Sequence, residues 1–174
     1  LIFALEPAFT RDARVPFRQA VELRETLSAT DRALLRGLEP IVSFDPPEKD
    51  VAAERLHAAC EAHPDDAELH LIAAIFATDA DSTRRAHLAE RAVSIDAGYS
   101  DAWCFLGRAY GYLGRDDEAA RALEHAIELS PHSVDAYHEL ARIHLVQGDA
   151  HLTERAARRA IAIAPSMTAY AFLL

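Results

Sequence analysis

Ser100–Ser133 reads SDAWCFLGRAYGYLGRDDEAARALEHAIELSPHS, and this stretch decides the fold. Its first half carries Trp103, Leu106, Gly107 and Tyr110 at i, i+3, i+4 and i+7, one face of an α-helix. Gly114 breaks that run. Arg115-Asp116-Asp117 then reads as a turn into a second helix whose acids sit at its positive N-terminus. Ala119, Leu123, Ala126 and Ile127 form the second apolar face, and Pro131 stops the helix. Neither helix of such a pair can bury its face alone, so units of this kind must stack.

Stepping outward by 34 residues shows what they stack on. Trp103 leads to Leu1, Leu35, Leu69, Tyr137 and Ala171; Leu106 leads to Ala4, Leu38, Ile72, Leu140 and Leu174. A third series runs Ala8, Val42, Phe76, Tyr110 and His144. Three apolar series at one constant step make the chain a repeat array. Tyr137, Leu140, Ala141, His144, Gly148, Ala157, Ala160, Ile161 and Pro165 repeat the pattern of the quoted stretch. Helices are predicted at about 13–28, 31–43, 50–62, 66–78, 83–95, 100–113, 117–130, 134–147 and 152–163, with a further one starting in 168–174. No segment reads as a strand.

The run Trp103, Leu106, Gly107, Tyr110, Ala119, Leu123, Ala126, Pro131 resembles the tetratricopeptide repeat, with Leu where that family usually has Phe. The resemblance implies an all-α, right-handed superhelical solenoid of antiparallel helix pairs, a single array over residues 1–174. Its small residues let paired helices approach closely. Repeats fall at about 66–99, 100–133 and 134–167, a degenerate one at about 32–65 and a remnant at about 1–31. In 134–167, His144 replaces the aromatic and Thr153 an alanine; in 66–99, Ala80, Arg85 and Ala97 depart from Gly, Ala and Pro. The 32–65 repeat keeps Leu35 and Leu38, but its turn, Phe44-Asp45-Pro46-Pro47-Glu48, is one residue longer, so Ala52, Leu56, Ala59 and Pro64 come one residue late. The remnant's second helix, with Ala13, Phe17 and Ala20, is about one turn out of register. Leu27–Leu35 is similar to a segment of tetratricopeptide regions in large bacterial signalling proteins, which implies the alternative of a regulatory module of a signalling enzyme or transcription regulator.

Composition narrows the function. An apolar fraction of 51% is too high for disorder, and no run approaches the ~18 residues of a membrane span. A net charge of −10 opposes duplex nucleic acid or an anionic membrane as main partner. Cys60 and Cys104 cannot form a disulfide framework, so a reducing, cytoplasmic setting is expected. All basic residues but Lys49 are arginine, which reads as the codon bias of a GC-rich bacterial genome. The lack of an initiator Met points to a piece of a longer protein.

Catalytic constellations are missing from the sequence, and no cofactor, metal or enzymatic activity is expected. His138-Glu139 begins like a zinc-protease motif, but Arg142 stands where the second His must be. His70, Cys104 and His138 share one repeat slot, yet inner helices about 8–10 Å apart hold them too far apart for one metal ion. Gly107, Gly111 and Gly114 lie at helical spacing and a helix end, not in a phosphate loop. Asp65-Asp66 and Asp116-Asp117 are helix-start acids. Arg155, Arg158 and Arg159 make a basic stripe that reads as a solvated outer face.

What remains is binding. The resemblance implies a scaffold holding a peptide or partner protein in a concave groove lined by first helices. With Trp103, Leu106, Tyr137 and Leu140 committed to packing, the other face offers Arg36, His70, Cys104 and His138 as one row, and Ala74, Arg108 and Arg142 as a second, with Thr78 and Tyr112 one turn on. Arg108 and Arg142 are the sharpest pair: their planar forks suit an acidic or carboxylate-ended segment. The competing reading pairs both with repeat acids such as Asp101, Asp135 or Glu139. Apolar ends, Leu1–Leu5 and Tyr170–Leu174, predict self-association.

Overall fold

The computed structural model describes residues 7–44, 46–77 and 81–173. Among them every regular element is helical: α1 Pro7–Glu22, a short 3-10 turn Arg24–Thr26, α2 Ala29–Val42, α3 Lys49–Ala62, α4 Ala67–Phe76, α5 Ser82–Ile95, α6 Ser100–Tyr112, α7 Asp116–Leu129, α8 Val134–Val146, α9 Ala150–Ile163 and α10 Met167–Ala171. These form two compact units, divided between Asp81 and Ser82.

In the first unit, α1 ends well before the predicted 28 because Ser28 is needed elsewhere. Its hydroxyl accepts from the Asp31 amide at 3.0 Å while Asp31 Oδ2 accepts from the Ser28 amide at 3.3 Å, a capping box that opens α2. The face predicted from Ala13 and Phe17 does pack, against Ile41, Val42 and Ala52. Leu35 and Leu38 are only half-buried, whereas Ala33 and Gly37 are buried. Gly37 makes the close approach: a Cβ there would stand 2.4 Å from Leu56 Cδ2. Since Ala73 fills the matching slot on α4 and is 2% exposed, α2 sits two residues off the 34-residue step. The long turn before α3 absorbs the offset, with the Glu48 amide donating back to the Pro40 carbonyl at 3.0 Å. Pro40 has no amide hydrogen, so the Arg36 carbonyl lacks its helical donor. Arg55 Nη1 supplies one at 3.2 Å and also meets Glu39 at 2.9 Å.

The second unit follows the quoted pattern closely. Gly107 meets Leu123: a Cβ would lie 2.5 Å from Leu123 Cγ and 3.0 Å from the Ala119 carbonyl. Both joining turns are Schellman motifs. Gly114 has φ 70° and Gly148 φ 79°. Arg115 donates to the Tyr110 carbonyl and Asp149 to the His144 carbonyl, each at 2.9 Å. Leu140, Ala141 and Ile143 join Ala119, Leu123 and Ala126 in one core. Phe172 and Leu173 pack on that core. The C-terminal end expected to be bare therefore leaves Tyr170 as its exposed large apolar side chain, at 46%. Leu1–Leu5, Thr78, Ala80 and Leu174 lie outside the described residues.

Candidate functional site on the inner helices

In the second unit, α6 and α8 are the inner, first helices of successive pairs, and they come close at Gly111. A Cβ there would meet Ile143 Cδ1 at 2.6 Å and Arg142 Nη2 at 2.7 Å. That contact admits the Arg142 guanidinium beside α6. The nearby carboxylate of Glu139, with its side chain 10% exposed, is gripped from both sides: Arg108 Nε donates to Oε1 and Arg142 Nε to Oε2, each at 2.8 Å. Of the acids considered from the sequence, Glu139 is the one both arginines engage. Arg108 is nearly enclosed, its side chain 12% exposed; Arg142 is more open at 32%. Arg142 also lies 5.4 Å over the Tyr112 ring, and its Nη2 is buried without a hydrogen-bond partner.

The remaining groove residues divide by exposure. Tyr112 is open, at 59%. Cys104 is buried rather than groove-lining, and burial pushes its thiol up to about 12, which keeps it protonated and unreactive. His138 is half-buried, with Nε2 3.3 Å from Ser166 Oγ. In the first unit, His70 is also buried, its Nδ1 lying 2.8 Å from the Asp66 carbonyl. Arg36 is exposed on a cavity of about 630 Å³ shared with Phe17, Val21, Arg32 and Leu35. The sequence reading passed over Leu145 and Val146, which are 56% and 64% exposed at the end of α8. Val146 stands 34 residues after Tyr112, so the period itself contained the signal. Among the described residues no group of His, Cys, Asp and Glu could hold a metal ion, and no helix is long and apolar enough to cross a membrane.

Residues 100–133, the α6–α7 pair, match the family model described as tetratricopeptide repeat. The chain carries a tetratricopeptide repeat. No curated protein matches the chain significantly in sequence. Solved structures share the fold of the repeat array. MamA is 21% identical with a TM-score of 0.69, over 84% of this chain and 81% of that one. YrrB, described as a tetratricopeptide repeat protein with an unusual peptide-binding site, is 19% identical with a TM-score of 0.72, over 94% and 83%. TTC0263, a thermophilic tetratricopeptide repeat protein of Thermus thermophilus, is 17% identical with a TM-score of 0.72, over 93% and 90%.

Tetratricopeptide register also explains two clefts in the second unit, away from the inner-face residues. One of about 570 Å³ has a floor of Trp103, Leu106 and Tyr110 and walls that include Glu90, Glu118, Arg121 and His125. The other, about 520 Å³, has Tyr137, Leu140 and His144 as floor and Glu124, Leu152, Arg155 and Arg159 on its walls. Each of these residues is its counterpart moved on by 34, so the clefts are one feature repeated.

Proposed function

We propose that the chain is a protein-interaction module that holds a peptide or partner segment on its inner-helix face, by binding rather than catalysis. One observation carries the reading: Tyr112 and Val146, equivalent positions on α6 and α8, are large apolar side chains left 59% and 64% exposed, with the Arg142 guanidinium over the Tyr112 ring. Exposed aromatic and apolar side chains next to an arginine are the composition of an interface centre. The peptide-binding site ascribed to YrrB agrees with this reading on the same fold. A carboxylate-bearing segment is the natural complement, reaching Arg142 rather than Arg108, which is enclosed against Glu139. Both cysteines are buried and outside any disulfide, which suits the cytoplasm of a bacterium. Self-association belongs to the same reading through Leu1–Leu5 and Tyr170, and light scattering over a hundredfold concentration range tests it.

The immobilised chain tests the face directly by capturing protein from native cell extract. Capture should be lost in Tyr112→Ser, which keeps the wild-type melting temperature, and in Arg142→Gln, which melts lower because Glu139 loses one of its two arginine partners. Equal capture by wild type and variants, or none by either, defeats the proposal.

A further inference from the structure

The second helices of the second unit carry a basic pair at i and i+4 in the same register three times. α5 has His87 and Arg91, α7 has Arg121 and His125, and α9 has Arg155 and Arg159, each pair 34 residues after the one before. All but the half-buried His125 are exposed. The opposite faces of these helices are buried, with Ala89 and Ala92, Leu123 and Ala126, and Ala157 and Ala160 turned to the core. The pairs therefore point outward, and those of α7 and α9 form one wall of each cleft. A repeated pair of basic residues on the outer face of a chain with net charge −10 is unexpected from composition alone.

Between the two clefts the charge changes. In the first, the acids are already engaged: Glu90 accepts from the Tyr110 hydroxyl at 2.9 Å and Glu118 from Arg115 Nε at 2.7 Å. That arginine holds the Glu118 carboxyl below its ordinary range, while burial and the bond to Glu90 raise the Tyr110 phenol. His125 packs edge-on against Trp103 at 4.6 Å and meets Glu128 at 3.1 Å. In the second cleft the place of Glu118 is taken by Leu152, and that of His125 by Arg159. One acid is lost and one permanent cation gained. Arg158 on the same helix is paired with Glu154 at 2.7 Å, but neither Arg155 nor Arg159 has a counter-ion among the described residues.

We infer that the cleft between α7 and α9 docks an acidic segment of a partner protein, with a carboxylate spanning Arg155 and Arg159 and a neighbouring apolar side chain against the half-buried Leu152, over a floor of Tyr137 and Leu140. Side chains at i and i+4 lie about 5–6 Å apart at Cβ, so two guanidinium forks reach one carboxylate or two adjacent ones. The apolar contact distinguishes this occupant from a bare polyanion such as nucleic acid, whose binding rests on phosphate charge. This cleft has its walls on the second helices α7 and α9 and its floor on α8, and shares no residue with the inner-face set of Arg108, Tyr112, Arg142 and Val146.

The probe is a fluorescein-labelled peptide of alternating glutamate and phenylalanine, followed by anisotropy at low salt with the intact chain. Saturable binding is expected, weakened about tenfold by Arg155→Ala and by Arg159→Ala. Arg158→Ala and the inner-face variant Tyr112→Ser should bind as wild type. The last control separates this site from the inner face, so either can fail alone. Absence of saturable binding, an unchanged affinity in Arg155→Ala and Arg159→Ala, or equal binding of the lysine counterpart overturns the inference. Tighter binding of a labelled oligonucleotide through the same arginines would make it a general polyanion site instead, which also overturns it.

Discussion

The α6–α7 pair and the α2–α3 pair meet the same packing demand in different ways. In each, a glycine on the first helix lies against a fully buried leucine on the second, Gly107 on Leu123 and Gly37 on Leu56, both leucines at 0% exposure. Their connections have little in common. α6 passes to α7 through a Schellman turn that satisfies its own carbonyls, whereas α2 carries Pro40 within its last turn and needs Arg55 from α3 to occupy the orphaned Arg36 carbonyl. Contact geometry is kept while spacing drifts. A repeat can thus lose its sequence register and still hold its helices together, provided that a small residue meets a large one at the crossing.

The largest effect should come from emptying those contacts. Leu123→Ala and Leu56→Ala should each cost about 2–5 kcal/mol by urea unfolding. A much smaller loss for Leu56→Ala alone would show that the α2–α3 contact only looks equivalent. Filling the glycines should come next: Gly107→Ala and Gly37→Ala should cost about 1–3 kcal/mol. Gly107 is expected to be the worse of the two, since the Ala119 carbonyl behind it is backbone and cannot swing aside. The smallest effect is assigned to Arg55→Ala, about 0.5–1.5 kcal/mol, the worth of a single hydrogen bond. A thermal melt identical to wild type would mean that water serves the Arg36 carbonyl equally well.

Legibility followed the same division. From Trp103 to Pro165 the apolar periods, Gly114, Gly148 and the prolines fixed helix type, pairing and turns, because local signals and packing agree there. In the first unit they disagree. Leu35 and Leu38 fit the 34-residue step but stay half-buried, while Gly37, which has no side chain to count as apolar, marks the true crossing. Ser28 decided where α1 must end through a capping box that a search for apolar faces passes over. At the inner face, the types Arg108 and Arg142 were legible, but which acid they meet depends on α6–α8 proximity at Gly111. Their engagement with Glu139 gives them a part in folding that spacing alone did not assign. The basic pairs were legible in full: stepping by 34 from the Arg155 stripe reaches Arg121 and His87.

Gly114 and Gly148 differ in kind from Gly107 and Gly37. Around a Cβ at either turn position there is nothing within 4 Å, so space there is free and the torsion angle is what restricts the residue. One class of glycine is limited by torsion and the other by volume, and substitution separates them. Asparagine, which tolerates the left-handed region, can replace a torsion-limited glycine at small cost, while valine or isoleucine cannot. At Gly107 every side chain collides, asparagine included. The turns of this array can therefore vary in sequence over time in a way its helix crossings cannot.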